Sequence, residues 1–130
     1  MRARLIAVNL LVVLGLALPA GASARRGGGG DEVRVDGVCG GGAKSTLKVK
    51  ARDGGLEVDV EVEHVRGASA WRLTLVQEGR VMWRGTARPR LGRFELRRGL
   101  RDLAGADRVG VTASGPSGVT CRMAATLPGA

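Results

Sequence analysis

The stretch that decides the fold is TLKVKARDGGLEVDVEVEH, residues 46–64. On both sides of Asp53-Gly54, apolar residues alternate with charged ones, and this period of two is typical of half-buried β-strands. Asp-Gly between two such runs is a strong signal for a two-residue hairpin turn. The sequence therefore predicts a β-hairpin that turns at Asp53-Gly54.

A two-residue turn also fixes which residues of the two strands face each other. Apolar residues then meet on the inner face, and opposite charges meet on the outer face. The inner pairs are Ala51–Leu56, Val49–Val58 and Leu47–Val60, and the outer pairs are Lys50–Glu57 and Lys48–Asp59. A shift by one residue would place apolar residues opposite charged ones throughout, so the sequence specifies this register well.

Downstream of Asp31 the same alternation continues, and no stretch has a convincing helical period of apolar residues. Turn residues recur about every eight to twelve positions, which is typical of all-β proteins. Further strands are expected at 32–38, 71–77, 81–88, 93–98, 107–114 and 118–127. The predicted fold class is all-β, a two-sheet antiparallel β-sandwich of about seven or eight strands.

The first 24 residues have the features of a secretory signal peptide. Arg2 and Arg4 precede an apolar stretch over residues 5–19, and Ala22-Ser23-Ala24 supplies the small residues of a cleavage site. The apolar stretch is shorter than the roughly 20 residues that a membrane-spanning helix needs. An uncleaved N-terminal anchor is the alternative to cleavage.

Cleavage after Ala24 would leave a flexible, basic, glycine-rich leader at 25–31 and a single β-sandwich domain at 32–130. The mature chain is expected to be secreted, with no membrane span. Removing Arg2 and Arg4 would lower the formal net charge from +9 to +7. Arginine far outnumbers lysine, a bias that a GC-rich genome produces by itself, so only part of the basicity points to a function.

Cys39 and Cys121 are the two cysteines of the chain. Because an even number of cysteines in a secreted protein is normally paired, we expect them to form a disulfide. Two free thiols, or half of a metal site, are the alternatives, but the sequence offers no accompanying metal ligands.

From Phe94 onward the order of features resembles the last three strands of a fibronectin type III domain. A strand, a leucine-rich connection (Leu100–Gly105), an alternating strand (Val109–Ala113) and a Gly/Ser turn follow one another. The 46–64 hairpin resembles the family's first two strands, so the likeness covers roughly residues 46–127. The pattern is also similar to small secreted bacterial proteins.

The resemblance implies an immunoglobulin-like sandwich in which the 32–38 strand is an N-terminal addition that the disulfide holds beside the last strand. The family usually carries a tyrosine near the start of the strand at Asp107, and this chain has no tyrosine. The hydrogen bond of that tyrosine must be absent or replaced. Another two-sheet β topology is the alternative.

The resemblance also distributes charge unequally between the two outer faces. In this arrangement strands 46–52, 56–64 and 93–98 form one sheet, with the acidic strand 56–64 between two basic strands. Strands 71–77, 81–88, 107–114 and 118–127 form the other sheet. The outward residues of the other sheet are arginines and threonines, namely Arg72, Thr74, Arg84, Thr86, Arg88, Arg108, Thr112, Thr120, Arg122 and Thr126. Arginine binds carboxylates and phosphates through two parallel hydrogen bonds, so this Arg/Thr face is the candidate binding surface. A face that merely keeps the protein soluble is the alternative.

Few residues are available for catalysis or for metal binding. His64 is the only histidine, and the carboxylates at 57, 59, 61 and 63 have lysines on the neighbouring strand. We therefore expect no catalytic site, metal or cofactor. The three aromatic residues, Trp71, Trp83 and Phe94, occupy predicted core positions, which argues against nucleic acid as a partner.

These observations predict a secreted, non-enzymatic binding module of unknown partner. An anionic cell-envelope polymer or an acidic protein surface would suit the Arg/Thr face, through Arg72, Arg84, Arg88, Arg108 and Arg122. An inhibitor of an extracellular protease or hydrolase is the second hypothesis. It would present an exposed turn, at 89–92 or 115–118, to the enzyme.

Overall fold

The computed structural model describes residues 25–26 and 31–129. The predicted signal peptide, residues 1–24, and the glycines at 27–30 lie outside the described residues. The strands are β1 (Arg25–Arg26), β2 (Glu32–Asp36), β3 (Val38–Cys39), β4 (Lys44–Arg52), β5 (Gly55–Glu63), β6 (Trp71–Gln77), β7 (Arg80–Ala87), β8 (Arg93–Arg101), β9 (Asp107–Ser114) and β10 (Thr120–Leu127). Within these ranges no helix is long and apolar enough to cross a membrane.

The strands form two antiparallel sheets. Sheet A has the order β1-β2-β4-β5-β8, and sheet B has the order β3-β10-β9-β6-β7. The prediction of an all-β, two-sheet antiparallel sandwich is confirmed, and the strand order is compatible with an immunoglobulin-like or fibronectin-like arrangement.

The β4–β5 hairpin has the register that its sequence predicts. Leu47, Val49 and Ala51 face Val60, Val58 and Leu56 in turn, and Lys48 and Lys50 face Asp59 and Glu57. Both turn residues have positive φ, 50° at Asp53 and 77° at Gly54, as in the tight turns that suit the twist of a hairpin.

The core lies between the two sheets and contains the inward side chains of the alternating strands. The fully buried members are Leu47, Val49, Val58, Val60, Val62, Leu73, Leu75, Val109, Ala113 and Cys121. At one end of the core the rings of Trp71 and Phe94 pack together, with centroids 5.5 Å apart. This packing joins β6 of sheet B to β8 of sheet A.

The prediction of one strand over residues 32–38, held beside the last strand, is wrong. Instead β2 pairs with β4 in sheet A, and the chain then crosses to sheet B, where β3 pairs with β10. Gly37 lies at the crossing, and a Cβ on this residue would come within 2.8 Å of the Arg122 carbonyl oxygen. The backbones approach too closely at this point for a side chain.

The predicted disulfide between Cys39 and Cys121 is present, with the two Cα atoms 4.1 Å apart. The two cysteines face each other in the register of β3 and β10. The bridge therefore holds the two-residue strand β3, and only that part of the N-terminal segment, beside the last strand.

The leucine-rich connection expected at Leu100–Gly105 begins later than predicted. Strand β8 continues to Arg101, and the rest of the connection has no helix. At its end, the buried carboxylate of Asp107 accepts a hydrogen bond from the Leu103 backbone N–H at 3.2 Å. This bond links the start of β9 to the preceding connection.

Candidate functional site

The Arg/Thr face is the outer face of sheet B, and cross-strand pairing arranges its residues in rows. The register of β7, β6, β9 and β10 gives one row of Arg84, Thr74, Thr112 and Arg122. Neighbouring strands lie about 4.8 Å apart, so the two arginines that end this row are separated by roughly 14 Å. The row is a flat strip of two hydroxyls between two guanidinium groups.

The next row contains Thr86, Arg72, Ser114 and Thr120. It places Arg72 between hydroxyl-bearing residues on the two adjacent strands. At the end of β6, the residues Ala70, Arg72, Thr74, Ser114, Gly115 and Pro116 surround a shallow hollow of about 410 Å³. Ser114 belongs to the face but is missing from the sequence-based set, although its alternation with Thr112 would have identified it.

The structure places three of the five predicted arginines in two adjacent rows of the sheet and the other two outside these rows. Arg72, Arg84 and Arg122 lie in the two adjacent rows. Arg108 lies four residues from Thr112 along β9, a distance of about 13 Å. A row that contains Val76 and Ala124 separates it from the row of Thr112. Arg88 follows the last residue of β7 and lies outside the sheet. The basic cluster is therefore Arg72, Arg84 and Arg122.

All five predicted arginines are exposed, and none forms an ion pair with a carboxylate within the described residues. Asp107, which precedes Arg108, is buried, and Glu78, at the turn between β6 and β7, accepts the Arg108 backbone N–H through its Oε1 at 2.6 Å. The guanidinium groups of the basic cluster keep their donors available to an anion.

Sheet A has the opposite character, because most of the carboxylates on its strands form ion pairs. Glu32 and Asp59 lie 3.8 and 4.0 Å from Lys48 Nζ, and Arg93 approaches Glu61 to 2.8 Å. Glu57 has a closer ion-pair partner than the expected Lys50, since Arg52 Nη1 lies 2.9 Å from its carboxylate. The difference between the two faces that the sequence predicts is thus present in the folded chain.

The acidic strand β5 is nevertheless crowded with negative charge. A hydrogen bond to Glu63 raises the pKa of Glu61, and burial raises the pKa of Asp59 although Arg97 and Lys48 oppose the shift. Glu61 also faces Glu95 across β5 and β8. In the described part of the chain, however, no group of three or more His, Cys, Asp or Glu side chains is placed to hold a metal ion.

Exposed apolar side chains border the Arg/Thr face, and sequence reasoning missed them. Val38 is 78% exposed and lies opposite Arg122 in the pairing of β3 with β10. Val81 and Met82 are also exposed, at the irregular end of the β6–β7 pairing. A ligand on the basic cluster would therefore contact apolar surface at both edges of sheet B.

Comparison of the chain with protein-family models, curated protein sequences and solved structures gives no match.

Proposed function

We propose that the chain is a secreted, non-enzymatic binding module whose Arg/Thr face contacts an anionic cell-envelope polymer. The observation that carries this proposal is the basic cluster of Arg72, Arg84 and Arg122, which forms no ion pair within the described residues, on the outer face of one sheet, while most carboxylates on the strands of the other sheet are paired. A flat strip of guanidinium and hydroxyl groups suits repeated phosphates or carboxylates. It has neither the depth nor the aromatic side chains that would enclose a base or a sugar ring.

We also propose an immunoglobulin-like or fibronectin type III-like identity for the domain. The order β2-β4-β5-β8 in one sheet and β10-β9-β6-β7 in the other supports it. The Asp107 hydrogen bond supports it as well, because it links the start of β9 to the preceding connection where the family uses a tyrosine.

The predicted export of the chain supports the same proposal. The features of residues 1–24 predict a cleaved signal peptide, and a disulfide persists in an oxidising compartment outside the cytosol. A basic module that is exported would encounter the anionic polymers of the cell surface directly. Such binding requires no turnover, which agrees with a chain that has a single histidine.

The test is retention on immobilised polyphosphate and on heparin at increasing salt. Replacing Arg72, Arg84 and Arg122 by serine should elute the protein at clearly lower salt and reduce the slope of log K against log salt by about two to three, because each phosphate contact contributes close to one. The control replaces Arg34, Arg90 and Arg101, which are exposed but outside the face.

The two triple variants have the same net charge, so they separate the face from overall basicity. Equal weakening in both would contradict the proposed site and would favour non-specific attraction. If instead the wild type ignores both polymers but binds a protein with an acidic surface through the same three arginines, the partner class would have to be changed.

A second function, inhibition of an extracellular protease or hydrolase, is favoured by Leu91. This leucine is fully exposed at the tip of the β7–β8 connection and has a φ of 52°. Two backbone hydrogen bonds between Arg90 and Arg93 close the turn around it, at 2.8 and 3.2 Å. A bulky residue in the left-handed region is rare, and strained residues cluster at functional sites.

The inhibitor hypothesis predicts a stoichiometric complex with a secreted protease that accepts an apolar side chain. Leu91→Asn should abolish that complex, because asparagine suits the turn but lacks the apolar contact. Asp53→Asn, at the equivalent position of the β4–β5 turn, is the matched control. If subtilisin-like and chymotrypsin-like proteases are not inhibited at equimolar protein, this second function is wrong for those classes.

A further inference from the structure

A second candidate site lies at one end of the sandwich, away from the rows of the Arg/Thr face. The connections at 40–43, 64–70 and 115–119 meet there around a cleft of about 260 Å³. This volume is below the usual range for drug-sized ligands, so it suits a molecule the size of an amino acid or a small aromatic acid.

The floor of the cleft includes Trp71, whose indole N–H has no hydrogen-bond acceptor. Trp71 is only 2% exposed, and its Nε1 is fully buried without a partner. Burying an amide-like donor without an acceptor costs free energy, so most buried polar groups are paired and an exception calls for a physical reason. Because this nitrogen has no accessible surface, the indole contributes ring atoms to the cleft and not its N–H.

The position of Gly115 shows what covers the Trp71 ring. A Cβ on Gly115 would come within 2.5 Å of Trp71 Cζ2 and within 2.8 Å of Cδ2, so the backbone of the 115–119 connection packs directly on the indole. Nε1 is bonded to Cε2, which lies between those two ring atoms. The Trp71 ring is therefore packed against the connection that forms one wall of the cleft.

The remaining lining combines apolar surface with donors. Val65 and Val119 provide apolar walls, while Arg66, His64 and Ser117 provide polar groups. No carboxylate lines the cleft. A ligand that suits this lining has an apolar body and an acceptor-rich, negatively charged group.

Backbone conformation distinguishes the same connections. His64 has a φ of 56° and Ser117 a φ of 61°, both in the left-handed region. Such conformations are held in place by the surrounding structure, and they are common at ligand sites. His64 and Ser117 belong to two different connections, and both residues line the cleft.

We infer that this cleft binds a small organic carboxylate. Its carboxylate lies beside Arg66, and its apolar body packs between Val65 and Val119 against the Trp71 ring. The inference goes beyond the proposed function and is independent of it, because Arg72, Arg84 and Arg122 do not line the cleft.

The test uses the indole N–H signals of the ¹⁵N-labelled full-length mature protein, titrated with benzoate and, separately, with phenylacetate. The chain has two tryptophans, and Trp83→Phe assigns the remaining signal to Trp71. At least one of the two acids should shift the Trp71 signal saturably at millimolar concentration and leave the Trp83 signal in place. Benzyl alcohol, which has no charge, should bind at least roughly tenfold more weakly.

Arg66→Ala should weaken the acid by about tenfold or more, because it removes a charged hydrogen-bond donor. Arg34→Ala removes an exposed arginine on sheet A and is the matched control, with unchanged affinity expected. The inference is wrong if neither acid shifts the Trp71 signal, if benzyl alcohol binds as tightly, or if the two arginine variants weaken binding equally. Retention on polyphosphate is unaffected by any of these results, so the two proposals fail separately.

Discussion

Asp107 Oδ1 lies 3.1 Å from Gln77 Nε2, and both residues are buried although 30 positions separate them. The same Nε2 donates to the Arg101 carbonyl oxygen at 2.7 Å, and the same Oδ1 accepts from the Leu103 backbone N–H. Two side chains thus join the end of β6, the end of β8 and the start of β9. They form the polar corner of a sandwich that has no tyrosine.

Replacing Asp107 by alanine should destabilise the domain by about 2–4 kcal/mol, because the buried Gln77 amide and the partly buried Leu103 N–H would both lose this acceptor. Asp107→Asn keeps an acceptor oxygen and should cost clearly less. Urea unfolding followed by tryptophan fluorescence measures both variants. Equal losses in the two variants would mean that the acceptor oxygen is not what stabilises the corner.

The pH dependence of stability should show the effect of the neighbouring Asp102. A hydrogen bond to Asp107 raises the pKa of Asp102 above its ordinary value of 3.8. A group with a raised pKa in the folded state binds protons more tightly there than in the unfolded chain. Its contribution is therefore present in full below pH 3.8 and is lost as the pH rises through the folded-state pKa.

Asp59 and Glu61 act in the same direction, because their pKa values are also raised. We therefore expect these three groups to lower the free energy of unfolding as the pH increases above about 4. Urea unfolding at a series of pH values measures the slope, and Asp102→Asn should flatten it, since the amide donates to Asp107 without titrating. An unchanged slope in Asp102→Asn would show that the Asp102–Asp107 contact does not couple to folding.

Much of the fold follows from the sequence, because alternation in antiparallel strands states which side of each strand is buried. The β4–β5 register is an example, since charge pairing, apolar pairing and the Asp53-Gly54 turn all specify the same alignment. The assignment of strands to the two sheets also agrees with the structure for every strand from β4 to β10.

The crossing of the N-terminal segment could not be predicted in this way. Val33, Val35 and Cys39 all occupy the inward positions of the alternating pattern. The alternation of inward and outward residues therefore continues unchanged through the point where the chain leaves sheet A for sheet B. Only Gly37 marks the place, and a single glycine within a strand is equally typical of a bulge or a tight bend.

The sequence predicted which residues belong to the candidate site, but not which of them lie in adjacent rows of the sheet. Alternation identifies Arg72, Arg84 and Arg122 as outward residues, whereas only the cross-strand register shows that they are neighbours and that Arg108 is not. The polar corner had a weak signal in the sequence, because Gln77 occupies an inward position in the series that begins at Trp71. Its partner is 30 residues away, and alternation cannot supply such a contact.

Leu91→Asn should make the domain more stable by about 1 kcal/mol, because asparagine tolerates positive φ better than leucine does. Leu91 is fully exposed, so the substitution removes no core contact. Thermal unfolding of the purified variant is the measurement, and Asp53→Asn, in a turn that already has a suitable residue, should change stability little. A destabilised Leu91→Asn variant would show that the leucine makes a stabilising contact in the native fold.

Removing the disulfide should loosen the side of the sandwich where the chain crosses between sheets. The bridge closes a loop with a sequence separation of 82, which corresponds to about 4–5 kcal/mol in the chain-entropy model. Strand β3 has only two residues, so without the bridge it has little to hold it against β10. Amide exchange in Cys39→Ser/Cys121→Ser should therefore accelerate first around β2, Gly37 and β3.

The opposite edge of the sandwich provides the internal control for that measurement. Trp83 of β7 packs under the Arg98 guanidinium of β8, 4.3 Å from the ring centroid, and neither strand contacts the N-terminal segment through the sheet pairing. Exchange in β7 and β8 should change only through the loss of global stability. If exchange accelerates equally at both edges, the bridge stabilises the whole domain through the unfolded chain alone, and the crossing at Gly37 is held by its own packing.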